Sequence, residues 1–153
     1  NFRRLPPVAI LSSWRRFLLR QERVKVMAKL RHIAISVPDL KEAAKFYEDS
    51  FDMERLREND IAINLSDGVM NVTLLRFPTD EMAGDERGKD FFGLHHIGFE
   101  TDDAEALIAR IEKCGGKYMG VSPGPEGVNA EHKFRDPHGV VFDVSEHGWV
   151  GTK

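Results

Sequence analysis

The sequence predicts an α+β fold: two paired βαβββ modules forming an open, cup-like mixed sheet with helices on the outside. Three observations carry this reading. One segment recurs at an offset of 64 residues. Each copy passes from strand to helix periodicity. Each is then followed by further strand-like runs closed by a hairpin signal.

The repeat sets HIAISVPDLKEAAKFYE, His32 to Glu48, over HIGFETDDAEALIARIE, His96 to Glu112, without a gap. His32 falls on His96, Ile33 on Ile97, Asp39 on Asp103 and Glu48 on Glu112. Alternating residues open each copy as a strand. Asp39 and Asp103 then suit a helix N-terminus, where a carboxylate accepts unpaired backbone N–H groups. Leu40, Ala43, Ala44 and Tyr47 follow at helical spacing, as do Ala104, Leu107, Ile108 and Ile111. In the first copy ERLRE, IAINLS and VMNVTLLRF come next, and SDG at Ser66–Gly68 is a hairpin turn. In the second, Gly115-Gly116 ends the helix, KYMGVS, EHKFRD and VVFDVSE follow, and RDPHG at Arg135–Gly139 is the matching turn. The polar stretch from Pro78 to Asp90 reads as a linker, and SPGPEG at Ser122–Gly127 as a loop. The expected organisation is a single domain over 27–153 with modules 30–77 and 93–147.

The charge is uneven. Residues 1–26 carry seven arginines and lysines against Glu22 alone, whereas the whole chain is at −3. Three readings fit this basic segment: an organelle-targeting peptide, a helix that touches a partner or membrane surface, or an extension ahead of a start at Met27. The last is placed first, because regular structure is expected directly after Met27. The acidic remainder argues against nucleic-acid binding, which needs a basic surface. No apolar run approaches the roughly 20 residues of a spanning helix, so no membrane partner is expected. With one cysteine, Cys114, no internal disulfide can form. That fits a reducing, cytoplasmic setting, with Cys114 a small packed residue at a helix end.

Strand parity separates two faces. Ile33, Ile35 and Val37 form an apolar face of the first strand, opposite His32, Ala34 and Ser36. In LHHIGFE, Ile97 and Phe99 are apolar, and His96, Gly98 and Glu100 lie opposite. The repeat pairs His96 with His32, leaving His95 on the helix-facing side or at the strand end. In VVFDVSEH, Asp143 shares a face with Val141, Ser145 and His147, although Asp is disfavoured in mid-strand. Asn71 and Thr73 lie opposite Val72 and Leu74. Two histidines and a carboxylate on facing surfaces are the donor set of a divalent metal site with open positions.

The motifs LRHIAISVPDLKEAAKFYEDSFDM, GLHHIGFETDDAEALIARIEKCGGK and FRDPHGVVFDVSEHG resemble the vicinal oxygen chelate superfamily, the glyoxalase/bleomycin-resistance/dioxygenase group. The resemblance covers about Leu30 to Glu146. It implies a metal held from the first and last strands of each module, here by His32, His96 and Asp143, with Thr73 at the fourth position. Family members usually carry Glu or Gln where this chain has Thr73, and Glu where it has Asp143; Asn71 is a second oxygen donor near the fourth position. The three-ligand set leads to dioxygenase chemistry with Fe(II) or Mn(II). The alternatives are a glyoxalase I-like lyase or an epimerase-type isomerase with Ni, Zn or Co, and a metal-free binding or resistance protein. The expected partner is a small molecule with adjacent oxygens, and the expected assembly a homodimer. Candidate acid–base residues are Glu131, His132 and Tyr118, with His138 a weaker one. Candidate substrate contacts are Lys133, Arg135 and Ser145. Phe77, Phe91, Phe92, Met82 and Trp149 are candidates to line or cover a pocket, and Glu146 and His147 are the nearest competitors of Asp143.

Overall fold

The computed structural model describes residues 27–84, 87–122 and 131–153. The basic segment 1–26 and the SPGPEG loop beyond Ser122 lie outside the described residues. The first module runs β1 (Ala28–Ser36), α1 (Leu40–Phe51), β2 (Glu54–Glu58), β3 (Ala62–Ser66) and β4 (Asn71–Leu75). A short helix, α2 (Asp80–Ala83), follows. The second module runs β5 (Gly93–Thr101), α3 (Ala104–Lys113), β6 (Lys117–Ser122), β7 (Glu131–Arg135) and β8 (Val141–Ser145). All eight strands join one open mixed sheet in the order β2-β3-β4-β1-β5-β8-β7-β6. The first strands of the two modules, β1 and β5, meet antiparallel at the centre. Each also pairs in parallel with the last strand of its own module. This symmetric order brings the cup face of both halves together within one chain.

Local chemistry sets the helices. The Asp39 carboxylate accepts from the N–H groups of Lys41 and Glu42, and that of Asp103 from Ala106. Such caps contribute about 1 kcal/mol each. Glu146 adds a bond from the Ala104 N–H at 2.9 Å, so it secures α3 rather than entering the cup. The apolar stripe of α1 packs Ala44 with Val37, Ile63, Leu65 and Leu74. In the second half Leu107 of α3 packs with Phe134 and Val144. Both hairpin turns form around an aspartate: Asp67 accepts from Val69 and Met70, Asp136 from His138 and Val140.

Two expectations change. The stretch from Pro78 to Asp90 is not wholly irregular, because Thr79 caps α2 by accepting the Met82 N–H. Threonine followed by two acidic residues is a helix-start signal that the polar composition concealed. Cys114 is not packed but exposed, as the C-cap of α3.

Candidate active site

Three β-bulges decide what faces the cup, and two of them add residues that strict alternation assigns elsewhere. On β5, Leu94 pairs with Ile35 and His96 with Ala34, so His95 is the extra residue. On β2, Arg55 pairs with Leu65 and Arg57 with Asn64, so Leu56 is extra. On β1, Arg31 is extra, and His32 sits opposite Gly98.

His32 and His96 come together as the repeat predicts, their Nε2 atoms 3.1 Å apart. Asp143 lies beside them, its Oδ2 3.3 Å from His96 Nε2, and is fully buried. Hydrogen bonding assigns the imidazole protons. Asn71 donates its amide N–H to the Val150 carbonyl, leaving its Oδ1 to accept from His32 Nδ1–H at 2.7 Å. The lone pair of His32 therefore sits on Nε2. His95 donates from Nε2 to the Ala83 carbonyl at 3.3 Å, so its Nδ1 accepts from His96 Nδ1–H at 2.8 Å. The lone pair of His96 also sits on Nε2. Two nitrogen lone pairs and a carboxylate oxygen thus crowd one another with no hydrogen between them.

A proton is a poor bridge here. Burial lowers the pKa of His32 to about 4 and that of His96 well below the ordinary imidazole value, with the nearby Lys133 charge adding to both shifts. A divalent cation is the better match. Ligands about 2.1 Å from a cation and at right angles lie about 3.0 Å apart, close to the two separations found. Among the described residues no three His, Cys, Asp or Glu side chains already surround a common point as a metal site. The Asp143 carboxylate is meanwhile paired with Lys133, whose ammonium lies 3.0 and 3.3 Å from its two oxygens. The donor set fits a cation at His32 and His96, with Asp143 reaching it through Oδ2.

Other candidates divide sharply. Glu131 lines a cavity of about 560 Å³ together with His32, His96, Thr73, His147 and Trp149. Its Oε1 accepts the Trp149 indole N–H at 2.6 Å, and burial raises its pKa above the ordinary carboxylate value. That indole stacks on the His32 ring, centroids 4.7 Å apart and planes within 5°. Trp149 is thus a wall of the cavity. It arrives because the last residues fold back over the first module: Ser66 donates to the Gly151 carbonyl as Asn71 does to Val150.

Several candidates are displaced. Tyr118 and His132 contact each other at 3.4 Å on the face of β6–β7 that packs around Phe134, away from the cup. Arg135 donates to the Gly139 carbonyl within its own hairpin, and His138 sits in that turn. Ser145 is buried beneath the turn at residues 147–148, accepting the His147 N–H. Lys133 serves Asp143 rather than lining the cavity. Asn71 orients His32 rather than occupying a fourth position, and the Thr73 hydroxyl spends its one hydrogen on Asn71 or Asn64. His95 is not idle: its ring lies against His96 and Phe77, and its Nε2 bonds the Ala83 carbonyl at the end of α2. Phe91 and Phe92 stack under Arg87 and Arg76, and Met82 is exposed.

Gly98 makes room for this arrangement. A Cβ there would lie 2.5 Å from the Trp149 ring and 2.9 Å from His32 Cβ. A glycine inside a strand marks such a close approach. Gly98→Ala is expected to lift the indole off His32, shift Trp149 emission in a Trp14→Phe background, and slow turnover about tenfold. An unchanged spectrum would contradict the stacking.

The comparisons agree with this architecture. Human mitochondrial methylmalonyl-CoA epimerase is 28% identical over 95 residues, 57% of this chain and 54% of that protein. The chain thus spans about half the length of that curated relative. Among solved structures, a hypothetical protein from Bacillus halodurans C-125 has a TM-score of 0.63 at 23% identity, covering 78% of this chain and 94% of that one. Methylmalonyl-CoA epimerase from Mycobacterium tuberculosis has a TM-score of 0.59 at 19% identity, covering 76% and 86%. At these identities both structures speak for the fold alone. A family model matches residues 29–144, which takes in β1 through most of β8 and with them His32, His96 and Asp143. The chain belongs to the Glyoxalase/Bleomycin resistance protein/Dioxygenase superfamily.

Proposed function

We propose that this chain is a divalent-metal-dependent enzyme of isomerase or epimerase type, moving a proton at a carbon beside a carbonyl. The observation that carries this reading is Glu131, a carboxyl group with a raised pKa in the cavity onto which His32 and His96 open. From sequence, oxygen chemistry comes first because of the three-ligand set, and Thr73 leaves an isomerase without its usual base. Glu131 supplies a base from the other half of the cup and reverses that order. The similarity to methylmalonyl-CoA epimerase supports the same choice.

A divalent cation held by His32, His96 and Asp143 would polarise the substrate carbonyl as a Lewis acid. The chain's own groups do the rest. The Trp149 N–H fixes Oε1 of Glu131, leaving Oε2 to take the α-proton. The C–H electron pair delocalises onto the neighbouring carbonyl, and delivery of a proton to the opposite face of that carbon, or to the former carbonyl carbon, completes the reaction without oxidant or reductant. A carboxylate with a raised pKa is the stronger base for this step. The cavity lies within the usual range for small-molecule sites, about 300–1,000 Å³, and suits an acyl group with adjacent oxygens.

The test is proton exchange. Metal-loaded protein in D2O with methylmalonyl-CoA as the acyl thioester should incorporate deuterium at the α-carbon with no oxygen uptake. Oxygen uptake with a catechol, and no exchange on the thioester, would restore the dioxygenase reading.

A further inference from the structure

The bulge on β2 turns an arginine into the cup. Without it, Arg57 would share a face with Arg55, which sits on the helix side and bonds Glu48 of α1 through Nε and Nη2 at 2.6 and 2.9 Å. With Leu56 as the extra residue, Arg57 instead pairs with Asn64 and lines the cavity with it. Directly opposed residues on one face lie about 5 Å apart at Cβ. Among the described residues Arg57 has no hydrogen bond or ion pair.

Asn64 is oriented for the same task. Its Oδ1 lies 2.9 Å from the Thr73 hydroxyl, which donates to it or to Asn71, and accepts from the Asn71 amide at 3.5 Å. The carbonyl end of the amide is therefore occupied, and its NH2 end carries the free donors. Arg57 and the Asn64 NH2 together present donors and one positive charge to this side of the cavity. The Glu131 side of the cavity is the reverse, a carboxylate held by one indole N–H.

We propose that Arg57 and Asn64 bind a carboxylate on the substrate, separate from the carbonyl at which the proton moves, and so select carboxylated acyl compounds. A guanidinium fork matches the two coplanar oxygens of a carboxylate. A single cation backed by a neutral amide balances a monoanion rather than a phosphate dianion. The reading deepens the proton-transfer function by naming a feature of its substrate.

The experiment reads binding, not turnover, so it stands apart from that function. Full-length protein is treated with a chelator and titrated calorimetrically with malonate monoamide, the uncharged diamide malonamide and inorganic phosphate. Wild type should bind the monoamide about tenfold more tightly than the diamide. Arg57→Gln should lose that preference. Asn64→Asp should invert it, while its retained acceptor keeps the Thr73 bond. Arg57 is an exposed strand residue, and circular dichroism checks that the variants fold. Equal affinity of wild type for monoamide and diamide, or tighter binding of phosphate, would overturn the proposal. So would an Arg57→Gln protein that keeps the preference. If these arms succeed and α-proton exchange fails, the carboxylate subsite stands and the proton-transfer reading falls.

Discussion

Exchange of His96 for alanine is expected to weaken divalent-metal binding by at least about a hundredfold and to abolish α-proton exchange. The size follows from what His96 does. Its Nε2 lies close to both other donors, 3.1 Å from His32 and 3.3 Å from Asp143. Without it, one of the two nitrogen donors of the set is lost. The informative comparison is His95. Strand alternation predicts that replacing His95, unlike His96, does not abolish tight metal binding. The structure gives it the His96 Nδ1 proton to accept and the Ala83 carbonyl to hold it in that tautomer. Groups of this kind typically change metal affinity by 10–100-fold. His95→Ala should therefore weaken metal binding, but less than His96→Ala. Elemental analysis and competition titration with a chromophoric chelator measure both. Equal losses would show that the two histidines are not layered, and no loss in either would remove the metal reading.

What sequence reasoning reached, and missed, follows from which interactions are local. The repeat located His32 and His96 because a gapless offset preserves strand parity, and parity carried Asp143 to the same face. Caps and turns were legible because Asp39, Asp103, Asp67 and Asp136 bond to neighbours two to four residues away. The bulges were not legible. A bulge depends on the partner strand, and one extra residue changes the assignment of His95 and Arg57. Nor could local pattern show that Trp149 would stack on His32, a residue over a hundred positions earlier. Glu131, Lys133 and Arg135 alternate on one strand face, but local pattern cannot show what each meets. In the fold Glu131 lines the cavity, whereas the pairing of β7 with β8 brings Lys133 opposite Asp143.

Glu131→Gln is expected to slow α-proton exchange by about 10²–10⁴-fold, the usual contribution of a positioned general base, while leaving metal affinity close to wild type. Glutamine keeps the shape and can still accept the Trp149 indole N–H through its amide oxygen, so the cavity wall survives. Only the ability to take a proton is lost. Two further signs distinguish this from a structural role. Burial raises the Glu131 pKa above the ordinary carboxylate value, so the wild-type rate should climb with pH through that raised value as the carboxylate ionises. The variant should show a residual rate without this acid limb. The stability sign is opposite to the activity sign. A carboxyl whose folded pKa exceeds its unfolded one favours folding at low pH, and that contribution is lost as pH rises through the folded value. At neutral pH the ionised, partly buried Glu131 is therefore a cost to stability, and the neutral glutamine should raise Tm. A protein that is more stable, still binds metal and no longer exchanges the proton would identify Glu131 as the base, because a group kept only for packing would not trade stability for turnover. A lower Tm with activity intact would assign Glu131 to holding Trp149 and leave the proton to be moved by another group.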